Sequence, residues 1–376
     1  MGWNIPDIPQ KSPLPKLKYR LWVLVLLLIL MVNVTLIVFL KKPVDYISIF
    51  FYGILPPVLG WLCILGVTLN RYEQSVAACI SWNEEKIKTD FNWQQWSRKQ
   101  LAIVANVTYT PDQNGVDALL SEIDDIPAYP KKARKLFAKN NKKLPFILKS
   151  IHNDFEKQRP GFQENLNDIY LLCADGVSID NTSILILQQW DLFPKTIKSI
   201  NDIQPFVDME LDGFIIVLCL QAFTEDEILP HSEFVSAQIL TSSTFAKSNN
   251  LDVIAGLGRI LPLEPEGLEE NLNVLCHYNR LYGGDINHVW LSNYNDNSLE
   301  IVMCFSEKEN WQLPKRQPLH LLEYSYGPPG ELMFPISLAL LAHSAKQTDK
   351  DQLLVFCPPR KPDQQYLCLI TRRLFL

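Results

Sequence analysis

Two uncharged apolar runs near the N-terminus set the frame for the rest of the chain. Leu21 to Leu40 (LWVLVLLLILMVNVTLIVFL) is twenty residues long, about 30 Å as a helix at ~1.5 Å per residue, which matches the hydrocarbon thickness of a bilayer. Lys41, Lys42, Pro43, Val44 and Asp45 lead into a second run, Tyr46 to Asn70, also of spanning length. Pro56 and Pro57 near its middle predict a kink, because neighbouring helices re-satisfy the freed carbonyls. Two spans on a short connection form a transmembrane hairpin with both chain ends on one side. A cleaved signal peptide is the rival reading of the first run, but no small-x-small cleavage site follows it and a second span does. Lys11, Lys16, Lys18 and Arg20 before the hairpin, with Arg71, Lys86 and Lys88 after it, outnumber Lys41 and Lys42 in the turn, so both ends are expected in the cytoplasm. Trp22, Tyr19 and Tyr46 sit at headgroup level.

Outside the hairpin the pattern is that of a globular protein. Residues 1–18, with Pro6, Pro9, Pro13 and Pro15, read as a disordered tail. Residues 19–70 are the hairpin. Residues 71–165 form a connecting α/β region: a charged stretch carrying Trp82, Trp93 and Trp96, a strand over Lys99 to Thr110, and helices over Asn114 to Asp125, Lys131 to Lys143 and Pro145 to Glu156. The helix at 131–143 is basic, with seven Lys/Arg. The one after it places Phe146, Ile147, Ile151 and Phe155 at helical spacing.

From residue 166 to 376 short apolar strands alternate with helices, which indicates α/β organisation with mixed sheets. The strands expected are Ile169 to Cys173, Gly213 to Leu220, Leu251 to Gly256, Asn287 to Ser292, Leu299 to Phe305, Leu319 to Tyr324, Gln352 to Cys357 and Gln365 to Thr371. The helices are Phe193 to Ile203, Ser232 to Ser248, Pro265 to Tyr282 and Gly330 to Lys346. In the last of these, Leu332 to Ala342 is apolar all round yet too short to cross a bilayer, so it is expected to be buried between two layers of strands.

Charge and cysteine usage narrow the functions. Residues 1–70 hold six Lys/Arg against Asp7 and Asp45, so the rest of a chain of net charge −6 carries −10. That disfavours nucleic acid and anionic lipid as partners and suits a protein partner. The eight cysteines (63, 79, 173, 219, 276, 304, 357, 368) show no CxxC and read as buried apolar residues of a reducing compartment. No zinc, dinucleotide or P-loop pattern occurs, so neither metal nor cofactor is expected.

The layout from about 170 onward resembles the thiolase and β-ketoacyl synthase family. The similarity is carried upstream by Asp212-Gly213-Phe214-Ile215-Ile216-Val217-Leu218 and Val253-Ile254-Ala255-Gly256. Over the last 125 residues it is carried by the helix from Pro265, then Asp285-Ile286-Asn287-His288-Val289-Trp290-Leu291-Ser292, then Tyr326-Gly327-Pro328-Pro329-Gly330 feeding the apolar helix, then a closing strand pair. The resemblance implies a layered fold with helices sandwiched between mixed sheets, and often a homodimer. It also implies a cysteine nucleophile at the positive end of a buried helix, with two histidines, or a histidine with Asn or Cys, around the acyl carbonyl. Those positions depart from the family: Asn293 stands where the first histidine is expected, and Tyr326-Gly327 where the second is. Cys173 and Cys219 lie in strands.

The expectation is therefore a catalytically degenerate enzyme fold held at a membrane. Its layout also resembles bacterial inner-membrane immunity or adaptor proteins encoded beside type VI secretion effectors, which implies a secreted toxin or cargo as partner. The alternative is a membrane-anchored acyl-transfer enzyme of the thiolase superfamily with a displaced nucleophile, Cys173 or Cys219.

Overall fold

The structure is a computed structural model that describes residues 2–40, 45–121, 123–137, 144–221, 229–263, 267–294, 296–359 and 364–375. The chain divides into two compact units, Ile5–Asn92 and Trp93–Leu376 with Met1–Asn4.

In the first unit, α1 (Tyr19–Leu40) precedes α2 (Tyr46–Ser48), a π-helical turn (Ile49–Ile54) and α3 (Leu55–Ser97). Pro56 and Pro57 fall in the first turn of α3, directly after the π turn. The wider winding there absorbs the clash and the lost N–H donors, so the helix continues. Gly53 lies against Val34 and Ile37, where a Cβ would meet Ile37 at 3.4 Å, and small residues of this kind let apolar helices approach. Trp61 Nε1 donates to the Trp22 carbonyl at 3.1 Å, with the two rings 6.4 Å apart. Helices at Tyr19–Leu40 and Ile49–Ser97 are long and apolar enough to cross a membrane. Lys41 and Lys42 lie outside the described residues. Upstream, the chain runs extended beside α3: Trp82 Nε1 donates to the Pro9 carbonyl at 3.0 Å, and the Lys11 ammonium sits 3.5 Å over the Trp82 ring.

The second unit is built from a motif used twice. In its first copy, α4 (Leu144–Gln158) leads to β2 (Leu166–Cys173), α5 (Ile179–Trp190), β3 (Lys195–Thr196), a 3₁₀ segment (Ile200–Val207), β4 (Phe214–Gln221) and β5 (Phe234–Ser242). In its second copy, α7 (Leu268–Asn279) leads to β8 (Ile286–Ser292), α8 (Asp296–Lys308), β9 (Leu319–Leu321), α9 (Leu322–Tyr326), α10 (Met333–Thr348), β10 (Asp351–Phe356) and β11 (Gln365–Thr371). Between the copies come α6 (Ser243–Ser248), β6 (Ala255–Leu257) and β7 (Leu261–Leu263); β1 (Leu101–Tyr109) precedes both.

All the strands join one mixed sheet whose main path, β3-β2-β4-β5-β1-β6-β11-β10-β8-β9, has the same form read from either edge. In each copy the first strand pairs parallel with the second and third, and the third antiparallel with the fourth. Antiparallel pairing of β1 with β5 and of β1 with β6 stitches the two halves together.

Side-chain alternation then sets the layers. Ile215, Val217 and Cys219 of β4 share one core with Leu354 and Phe356 of β10 and with Leu338, Leu340 and Leu341 of α10. Phe214, Ile216 and Leu218 face the opposite way, onto Ile151 and Phe155 of α4 and Ile186 of α5. Leu353 and Val355 face Leu272 of α7 and Phe305 of α8. Helix α10 therefore lies between the two halves of the sheet, with twelve of its sixteen residues buried, as an all-round apolar helix requires.

Several expected elements are corrected. Leu299 to Phe305 is part of α8, not a strand, because burial falls on Ser298, Val302 and Phe305 at helical spacing while Glu300 and Cys304 face out. Ser232 to Ser248 is mainly β5, whose nine residues are all buried; Val235, Ala237 and Ile239 alternate with Ser236 and Gln238 at the period of a strand, and α6 takes only Ser243–Ser248. Phe193 to Ile203 is β3 and a 3₁₀ start, and Phe193 is exposed. Residues 131–137 are not helical: like charges disfavour a helix there, and Arg134 is held by Asp112 at 2.5 and 2.9 Å and by the Ser325 carbonyl. Residues 138–143 and Pro265 lie outside the described residues. Phe146 is exposed while Ile147, Ile151 and Phe155 are buried. Helix α5 had no counterpart among the expected elements.

Candidate functional site

The internal repeat locates the site. In the second copy the segment after β9 feeds α10; in the first, the segment after β3 feeds Ile200–Val207. The starts of these two inner elements meet at a cavity of about 140 Å³, lined by Ser199 and Asn201 on one side and by Glu331, Leu332 and Phe334 on the other. Phe334 packs on Phe356 and Tyr366 with ring centroids 4.9 and 5.4 Å apart. Neither cysteine nor histidine is among the described residues that line this cavity. Where the resemblance would place a thiol at a helix start, a capping box stands instead: Ser199 Oγ accepts from Asn201 N at 3.2 Å, and Asp202 accepts from Ser199 N at 3.1 Å. These bonds satisfy the exposed N–H groups that would otherwise polarise a ligand.

The residues singled out in the sequence fall in three places. Cys173 closes β2 and Cys219 sits in β4, in adjacent ladder rungs (Leu172 opposite Cys219, Cys173 opposite Leu220). Burial pushes the Cys173 thiol up to about 11, and drives Cys219 above its ordinary value through burial and then the neighbouring Cys173. Thiols held protonated in this way are the reverse of an activated nucleophile. Asn293 directly follows β8 in a left-handed conformation with φ 51°. Its N–H donates to Glu323 Oε1 at 2.6 Å and its Nδ2 to the Cys357 carbonyl at 2.9 Å, so it ties three chain segments together. Tyr326 is buried edge-on to Phe234, and its carbonyl accepts from Ser232 Oγ. Gly327 has φ 75°, and a Cβ there would lie 2.6 Å from the Lys132 carbonyl; only glycine fits.

Three polar groups, Arg259 and His320 buried and Glu323 half-buried, had no sequence signal. Glu323 accepts from Ser292 Oγ at 2.6 Å, and burial raises its carboxyl above the usual range. Arg259, with a side chain 3% exposed, is held by Asp208 and by the Trp96 carbonyl at 2.8 Å. His320 stacks on Trp290 at 4.2 Å and faces His288 Nδ1 across 3.1 Å, while Trp290 Nε1 donates to Gln352 at 2.8 Å. Burial, and then His288, press His320 down to about 3. The partners are 30 or more positions apart, so nothing local in the sequence links them. Among the described residues no group of three or more metal-ligating side chains occurs.

No family model and no curated protein matches the sequence. Solved structures do match the fold. A type II PKS acyl-carrier protein in complex with its ketosynthase bound to the hexaketide (AntDE:AntF) aligns with TM-score 0.53 and 8% identity, over 73% of this chain and 100% of that one. The 3-oxoacyl-(acyl-carrier-protein) synthase III of Aquifex aeolicus gives TM-score 0.45 at 12% identity over 72% and 99% of the two chains. A variant of Xanthomonas campestris OleA gives 0.46 at 8% over 72% and 98%. The fold is thiolase-like, a large mixed sheet layered with helices.

Proposed function

We propose that this chain is a membrane-anchored protein of thiolase-like fold that has lost acyl-transfer chemistry and binds a protein partner. The partner is a secreted toxin or cargo, and the protein serves as a type VI secretion immunity or adaptor protein at a bacterial inner membrane with its globular body on the cytoplasmic side. The reading is carried by the cavity where the two inner elements start: its described wall offers no thiol and no imidazole, and its Ser199 hydroxyl is engaged in a cap. The −10 charge of residues 71–376 supports a protein partner over nucleic acid. The AntDE:AntF neighbour, itself a complex with an acyl-carrier protein, supports the idea that this scaffold suits protein docking.

A second reading, a membrane-anchored acyl-transfer enzyme with Cys173 or Cys219 as a displaced nucleophile, is favoured by the ketosynthase fold of the AntDE:AntF neighbour. One comparison separates the two. The full chain in lipid nanodiscs is incubated with acyl-CoA, and in parallel is cross-linked in its native cells and purified. The first reading expects no acyl transfer above a Ser199→Ala, Cys173→Ala, Cys219→Ala triple variant, together with a single stoichiometric protein partner. Turnover that this variant abolishes would establish the enzyme.

A further inference from the structure

A second, larger cavity of about 410 Å³ lies between β8, β9, α8 and the segment near Leu119, and shares no lining residue with the cavity at Ser199. Its size falls in the range of small-molecule sites. Its wall is largely apolar, with Trp290, Leu299, Met303 and Leu321 among the lining side chains. Two further lining residues are polar and almost fully buried: Ser325 is 1% exposed and His320 4%. The His320 ring is occupied by His288 on one side and the Leu119 backbone on the other, whereas Ser325 Oγ makes no hydrogen bond. Buried polar atoms are rarely left so, because an unpaired one gives up its hydration without regaining a hydrogen bond.

The chemistry of the wall selects the ligand. A pure hydrocarbon would leave Ser325 Oγ unpaired. A carboxylate would shed its hydration among apolar side chains beside a histidine kept neutral. Arg316, also in the lining, is exposed to solvent, where a charge is screened. We propose that this cavity binds a neutral small molecule with an apolar body and one hydroxyl or carbonyl oxygen, which pairs with the buried Ser325 hydroxyl beside the His320 ring. The proposal is independent of the partner-binding reading, since it concerns another part of the fold and another class of ligand.

Calorimetric titration of the full chain in nanodiscs tests it, with hexanol and hexanoate as probes. Partition into lipid is common to all variants and cancels between them. Saturable hexanol binding is expected in the wild type, lost in Met303→Trp, which fills the cavity from the half-buried face of α8. Ser325→Ala is expected to weaken hexanol at least fivefold, and hexanoate to bind at least tenfold more weakly than hexanol. Melting temperature checks that each variant folds; if Met303→Trp does not, Leu299→Phe fills the same space and is read in its place. Hexanol heats unchanged in the filling variant or in Ser325→Ala, or hexanoate bound as tightly as hexanol, would overturn the proposal.

Discussion

His320 and Arg134 show how single side chains carry testable weight. The folded chain holds His320 near 3, whereas the unfolded chain's imidazole titrates at its ordinary 6.5. Below pH 6.5 the unfolded state therefore binds a proton that the folded state refuses. Stability falls as pH drops through that window, by at most about 1.4 kcal/mol per pH unit. Glu323 and Asp351, both raised by burial, act in the opposite sense, gaining stability as pH falls. The isolating measurement is thus a difference: thermal melts from pH 7 to pH 5 are expected to drop more for the wild type than for His320→Gln. Arg134 and Asp112 have side chains only 14% and 10% exposed, so Arg134→Met strands a buried carboxylate. A loss of about 3–5 kcal/mol is expected in chemical denaturation, largely recovered when Asp112→Leu is added. Neither pair was legible in the sequence. Arg134 sat within a run of positive charge that read as a solvated face, and His288 and His320 looked like isolated histidines because the β8–β9 pairing that joins them is a tertiary fact.

Elements declared themselves according to how their burial is distributed. Helices with one wet face, such as α4 and α7, left a periodic trace, and α10 was found by the opposite signal, an apolar surface too short for a bilayer. Strand β5 and helix α8 both depart from the expectation: Ile301 and Val302 in α8 mimic a strand, and β5, although Val235, Ala237 and Ile239 alternate with Ser236 and Gln238, runs without a break into α6. The candidate site was less legible. Asn293 follows β8, Tyr326 and Gly327 close α9, and none of them lines the cavity, while Ser199 became visible only when the fold repeat matched Ile200–Val207 to α10. Two substitutions probe this level. Leu338→Ala, at 0% exposure in the middle of α10, is expected to cost about 2–5 kcal/mol, read by chemical denaturation. Gly327→Ala adds a Cβ at a positive φ against the Lys132 carbonyl, and a drop in melting temperature is expected even though only one methyl is gained.

At the scale of the molecule, two apolar helices precede a body of thiolase-like fold. Leu28→Arg near the centre of α1 places a charge where a bilayer is thinnest in polar groups, at a cost of about 2.5–3.5 kcal/mol for insertion. Carbonate extraction of membranes is expected to release more of this variant than of the wild type; equal retention would count against α1 as a span. The sheet itself ends abruptly on both sides. Its outermost strands, β3 and β9, are two and three residues long, and β3 carries Lys195 paired to Asp168 at 2.6 Å. Such margins offer a visiting backbone too few amides to zip onto. Another chain, whether a second copy or a stranger, gains little by β-augmentation here, and recognition falls to side chains, to contour and to the sign of the surface charge.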